Sequence, residues 1–290
     1  MEIFTKNKVF KLFISALLIT LITVPTNIFA STNSNVQAIV DPTTAKFISI
    51  FPSFKASLDK YTDGNLITQS EIYYKYTPKS TASTEKIYNN EADINKDFEI
   101  KKYTKQQYAN ERLGIGTNII GGQEGGNSSW LLILLDVYNS SGLSNYMVYN
   151  FGSWITQPIY HMSDAIGISV GDTMMVSSDS GTRFSSYNHT NMWDEDINET
   201  ASVQISAGGK GVMSVFTLSP AGPGINEYHN FMVSTGVKYN NALEYNGWIT
   251  GNYLHTQASI GSISMSVKGV PGVSASIDND LLQGSRPVSR

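Results

Sequence analysis

The chain has 290 residues, four histidines, 20 lysines and arginines against 24 acidic residues, and no cysteine. Without cysteine there is no disulfide, no thiolate nucleophile and no zinc–thiolate site, so an apolar core has to hold the fold. Residues 31–113 carry 11 basic and 10 acidic residues and residues 114–290 carry 6 and 13, a balance that excludes nucleic acid as a partner and disfavours electrostatic docking on anionic lipid.

The first 30 residues read as an export signal. Lys6, Lys8 and Lys11 precede an apolar run at 12–24, and Ile28 and Ala30 follow it. That is the order of a secretory signal peptide, with cleavage expected after Ala30. The run is shorter than the ~20 apolar residues of a membrane-spanning helix. The mature protein, residues 31–290, is therefore expected to be secreted, and its richness in Asn, Lys, Ile and Tyr suggests a Gram-positive bacterial source.

Residues 41–61 have helical spacing. Asp41 suits an N-cap and Pro42 a first helical turn. Ala45, Ile48 and Phe51 recur at helical intervals until Pro52 interrupts them. Ser53 is the expected cap of a second short helix carrying Phe54, Leu58 and Tyr61. A turn is expected at 62–65 and a strand at 66–76, stopped by Pro78. Residues 79–112 are polar, with a weak helical pattern around 101–113.

A glycine-rich stretch at 114–129 marks a boundary or a long loop. It is neither a P-loop nor a dinucleotide fingerprint, because no Gly-Lys-Ser/Thr follows and Ile119 replaces the third glycine. Beyond it the pattern becomes all β. Residues 130–138 form a continuous apolar run and 146–155 an aromatic, β-prone one. A turn is expected at Gly171–Asp172, alternation at 202–207, and a hairpin at 262–278 whose apolar and hydroxyl-bearing residues alternate. The fold class expected is mainly β: an antiparallel β-sandwich, jelly-roll-like, preceded by a small α+β N-terminal segment. The expected domains are a signal peptide at 1–30, the α+β segment at 31–113, the sandwich at 114–280 and a flexible tail at 281–290.

Few motifs carry chemistry. Residues 167–171 match G-x-S-x-G around Ser169, but strand character follows where the nucleophile elbow needs a helix. No histidine lies in an H-E-x-x-H or H-x-H arrangement, so zinc has no support. His229 stands two places after Glu227, close enough for an acid–base pair or for two neighbours on one strand face. Residues 187–203 concentrate Tyr187, His189, Trp193 and several acids. Asp194, Asp196, Asn198 and Glu199 offer hard oxygen ligands at calcium-loop spacing, although Glu199 and Ile205 break the EF-hand template. Calcium is therefore the one cofactor expected.

Aromatic residues beside Asn, Gly or Ser suit sugar rings, which stack on aromatic faces while their hydroxyls pair with amides and carboxylates. The candidate binding residues are Trp193, Tyr187, His189, Trp248 and Tyr228. Residues 160–176 resemble locally the strand–turn–strand of glutamic peptidases, a β-sandwich family. The resemblance implies a secreted peptidase, but the family's catalytic glutamine and glutamate have no placed counterpart: Gln123–Glu124 lies in another context. The leading expectation is a secreted protein that binds glycans or a cell surface, calcium-assisted. The alternatives are a β-pore-forming toxin, built on the hairpins at 202–219 and 262–278, and a secreted hydrolase, whether peptidase or glycosidase.

Overall fold

The computed structural model describes residues 41–78, 98–114, 128–142, 144–158, 163–191, 193–220, 225, 227–241, 246–255 and 280–289. In chain order the elements are α1 (Pro42–Ile50), α2 (Pro52–Tyr61), β1 (Thr62–Pro78), β2 (Phe98–Tyr103) and α3 (Lys105–Gly114). Then come β3 (Ser129–Ser140), β4 (Tyr146–Trp154), β5 (Ser163–Val170), β6 (Met174–Val176), β7 (Phe184–Thr190) and β8 (Asp196–Thr200). The last are β9 (Gln204–Ile205), β10 (Gly211–Thr217), β11 (His229–Tyr239), β12 (Asn246–His255) and β13 (Asp280–Ser289).

The strands form two antiparallel sheets. The first runs β2-β1-β3-β4-β11-β7-β8, with β6 also paired to β11, and the second runs β13-β12-β5-β10-β9. β4 is buried at every residue, as a central strand covered on both faces must be. Between the sheets, Ile133, Val148, Phe231 and Val233 meet Ile166, Ile168, Phe216, Ile249 and Tyr253 in one apolar cluster. Asn150 crosses this layer, donating to the backbone carbonyls of Gly167 at 2.8 Å and Asn252 at 3.0 Å. The expected antiparallel sandwich is what the chain forms.

The helices cover the outer face of the first sheet. Phe47, Phe51 and Phe54 pack with Leu132, Leu134, Tyr149, Phe151 and Met232. The Phe47 and Phe151 rings stack at 4.6 Å. Full burial of such side chains stabilises by about 1.5–3 kcal/mol each. Asp41 caps α1 as expected, accepting from the Thr43 backbone N–H at 2.8 Å, and Pro52 opens α2. Ser53 is not the cap of α2. That position falls to Phe51, which is buried in the aromatic cluster and gives α2 no side-chain capping bond.

Other expectations need correction. The turn at 62–65 is the start of β1, with Gly64 at φ +81°. Residues 101–113 divide between β2 and α3. The boundary at 113/114 is not a structural one, because β1 lies between β2 and β3 and pairs with both. All described residues belong to one compact unit, Ala38–Arg290. The stretch at 202–207 forms only the two-residue β9, whereas β8 arises where a loop was expected. Residues 281–289, expected as a loose tail, belong to β13 and pair with β12, Leu281 opposite Leu254 through Ser289 opposite Asn246. The leader at 1–30 and the hairpin at 262–278 lie outside the described residues.

Candidate functional site

One end of the sandwich gathers the described histidines. β7 and β11 pair with His189 opposite His229 and Asn188 opposite Asn230. Strand alternation sends Tyr187, His189 and His229 toward the second sheet and Asn188 and Asn230 away from it. β12 reaches the same end, where His255 lies opposite Asp164 of β5.

On the inner side the polar groups satisfy one another. Glu227 Oε1 lies 2.7 Å from His229 Nε2, and Tyr187 Oη lies 2.6 Å from His229 Nδ1. A carboxylate only accepts, so Nε2 carries a proton, and in the neutral imidazole Nδ1 then accepts from the Tyr187 hydroxyl. Gln157 Nε2 donates to the other Glu227 oxygen at 3.2 Å. His189 Nε2 lies 3.3 Å from Glu199 Oε1, and the His189 and Tyr187 rings stack at 4.5 Å. Deeper, Trp154 Nε1 donates to Asp164 at 3.1 Å and to the Tyr253 hydroxyl at 2.9 Å, and that hydroxyl donates to Asp164. Burial raises the pKa of the Tyr187 and Tyr253 hydroxyls. Carboxylate, imidazole and phenol in line resemble a proton relay, yet Tyr187 is 2 % and His229 0 % exposed. A general acid or base has to reach a substrate proton. In this state the cluster is a satisfied polar plug.

On the outer side a hydrogen-bond chain crosses four strands. Ser153 Oγ donates to Asn230 Oδ1 at 2.7 Å, Asn230 Nδ2 to Asn188 Oδ1 at 3.0 Å, and Asn188 Nδ2 to Asp196 Oδ1. Every donor points toward Asp196, at the rim. Tyr228 joins there: burial raises the pKa of its hydroxyl, and hydrogen bonding to Asp196 raises it further.

Beyond the rim stands the β7–β8 turn. Asn191 folds it. Its Oδ1 accepts from the Trp193 N–H at 2.8 Å and the Glu195 N–H at 3.0 Å, and its Nδ2 donates to Glu195 Oε2 at 2.8 Å. The Asn191 and Glu195 backbones also bond at 3.0 Å. Asp194 adopts φ +63°, a left-handed conformation that Asp tolerates better than most residues. The turn presents the Trp193 indole, 74 % exposed.

The residues singled out from sequence therefore separate. Trp193, Asp194, Asp196 and Tyr228 share one rim. Tyr187 and His189 belong to the buried plug beneath it, because β7 turns those two positions inward. Trp248 is 56 % exposed but lies at the opposite end, beside Gly171. The four oxygen ligands do not converge. Asp196 and Asn198 leave one face of β8, while Glu199 leaves the other to meet His189. Among the described residues no group of three or more His, Asp or Glu side chains is arranged to hold a metal ion.

Ser169 lies on β5, accepts from Asn252 Nδ2 at 2.8 Å, and is followed by a turn and β6 rather than a helix. The nucleophile-elbow context is absent. Gln123 and Glu124 lie outside the described residues. Sequence reasoning passed over Ser153, Asn230 and Asn188, which only strand register brings together on the outer side, and Asp164, which meets Trp154 and Tyr253 on the inner side. Asn191 left a local signal, an Asn two residues before the exposed Trp, as in an Asx turn.

No protein-family model matches the sequence, and no curated protein matches it. Among solved structures, the chain is similar to the collagen-binding domain of a Staphylococcus aureus adhesin, at 8 % identity over 50 % of this chain and 88 % of that one, with a TM-score of 0.26. It is similar to the collagen-binding domain of Erysipelothrix rhusiopathiae surface protein RspB, at 7 % identity, 55 % and 65 % coverage, and a TM-score of 0.25. A third similar structure is AvmM, which catalyses macrocyclization in alchivemycin A biosynthesis, at 12 % identity, 50 % and 80 % coverage, and a TM-score of 0.24.

Proposed function

We propose that this chain is an exported, non-catalytic binding protein that docks on a glycan of a cell surface through the β7–β8 turn. The observation that carries the reading is the exposed Trp193 indole on a turn braced by Asn191. An indole held outward offers a flat apolar face to a sugar ring, and the carboxylates of Asp194, Glu195 and Asp196 accept from its hydroxyls. A turn that is already ordered lowers the entropic cost of binding. Export rests on the leader-like order of residues 1–30. Were calcium to take part as an aid, Asp194 and Asp196 would be the residues to hold it, and the ion would supply positive charge for ligand hydroxyls at the rim.

The test is binding of residues 31–290 to arrayed surface glycans, alongside Trp193→Ala. Wild type is expected to bind a subset, and the variant to lose about tenfold or more in affinity at unchanged thermal midpoint. Equal binding by the variant would move the site elsewhere, and dye release from liposomes would replace binding by pore formation. A melting temperature that does not move with millimolar calcium removes the ion from the reading.

A further inference from the structure

The Trp193 turn carries uncompensated negative charge. Between Arg183 and Lys210 the chain has no lysine or arginine, while Asp194, Glu195 and Asp196 directly follow the exposed indole. The two flanking cations are engaged elsewhere. The Arg183 guanidinium donates to the Ser177 carbonyl at 3.1 Å, and the Lys210 ammonium donates to the carbonyls of Asp172 at 2.9 Å and Met174 at 2.7 Å. His189 is buried beneath the rim and faces Glu199.

The donors that hold the rim carboxylates are neutral. Glu195 accepts from the Asn191 amide, and Asp196 accepts from the Asn188 amide and bonds to the Tyr228 hydroxyl. Among the described residues no lysine or arginine pairs with Asp194, Glu195 or Asp196. A neutral donor fixes a carboxylate without cancelling its charge.

We propose that the glycan taken by this turn is an amino sugar with a free, protonated amine, as in a β-1,4-linked glucosamine polymer. The proposal rests on the glycan reading and adds the charge of the ligand. The indole serves both parts of such a ring. Its face receives the ring C–H groups, and an ammonium within about 6 Å of the indole centroid is attracted by the same π face. The carboxylates accept charge-assisted N–H bonds from that ammonium, which are stronger than those a neutral hydroxyl gives. An acetamide carries no charge, and a sulfated or uronic glycan is repelled. An ammonium brings its own positive charge to the rim, so such a ligand needs no calcium.

The experiment titrates residues 31–290 by calorimetry with hexamers of β-1,4-linked glucosamine, N-acetylglucosamine and glucose, at a mildly acidic pH that protonates the amine. The three differ only at C2, which carries an ammonium, an acetamide or a hydroxyl. The glucosamine hexamer is expected to bind about tenfold or more tightly than the other two, and added salt should weaken its binding alone. Asp194→Asn combined with Glu195→Gln removes charge and keeps the turn. Asn also tolerates the left-handed backbone of position 194, and Gln keeps an acceptor for Asn191. This variant should lose about tenfold toward the glucosamine hexamer at unchanged thermal midpoint. Equal affinity for the three hexamers overturns the amine preference and leaves the glycan reading standing. Failure of all three to bind also overturns it, and the arrayed glycans then show whether the glycan reading falls as well. Hexalysine that competes as strongly as the glucosamine hexamer replaces the sugar by bare positive charge and sinks the inference.

Discussion

Asp136 is fully buried on β3 beneath α1, where Thr44 Oγ1 and Gln69 Nε2 each donate to it at 2.9 Å. Burial pushes its pKa up to about 7, Asp41 and Glu71 add to the rise, and the two donors oppose it. The folded state then keeps a proton that the unfolded chain gives up near pH 3.8. Stability from this group is full below that value, falls as pH rises toward 7, and is lost above it, a change on the order of a few kcal/mol. Asp136→Asn keeps the shape and cannot ionise, so its urea midpoint should stay nearly level between pH 4 and 8 while the wild-type midpoint falls relative to it. Parallel curves would show that Asp136 does not titrate in this window. At the rim, Asn191→Ala removes the side chain that fixes the Trp193 turn. We expect a lower indole order parameter for Trp193 by NMR relaxation, with stability changed by less than about 1 kcal/mol because the turn is exposed.

The elements depend on close approaches that single residues permit. A Cβ on Gly251 of β12 would lie 2.6 Å from Asn150 Oδ1, the amide that bridges the sheets. Gly251→Ala should therefore displace Asn150 and destabilise by about 1–3 kcal/mol, read as a lower urea midpoint at unchanged slope. An unchanged midpoint would mean that the sheets part at no cost. Elements with strong local signals were legible in sequence. The apolar run of β3, the aromatic run of β4 and the two prolines that open α1 and α2 each declare themselves within a few residues. β8 and β13 did not, because DINET and DLLQGSRPVS carry little apolar alternation and become strands by pairing with β7 and β12. The site divides the same way. Trp193, Asp194 and Asp196 are near in sequence and stay near in space. The chain from Ser153 through Asn230 to Asn188 exists only through register, and the inward direction of Tyr187 and His189 depends on which face of β7 meets the second sheet.

At the scale of the molecule, the order β2-β1-β3 decides what can fold alone. A composition shift at 113/114 invites division into an N-terminal segment and a sandwich, yet β1 covers the full edge of β3 and supplies Tyr74 and Tyr76 to the inter-sheet core. α1 and α2 supply Phe47, Phe51 and Phe54 to the outer face. A fragment of residues 114–290 would expose the β3 edge together with Leu132, Leu134, Tyr149, Phe151 and Met232. An uncovered apolar face and a long open edge both favour aggregation over folding. We therefore expect residues 114–290 to lack near-UV circular dichroism and dispersed amide resonances, and residues 31–290 to unfold in a single transition. A folded fragment, or two separate transitions in the longer chain, would restore the boundary that the composition suggests. Because the helices and β1 close the sheet on the side away from the Trp193 turn, removing them should abolish the proposed binding at that turn through loss of the fold, whereas Trp193→Ala should weaken it about tenfold or more with the fold intact.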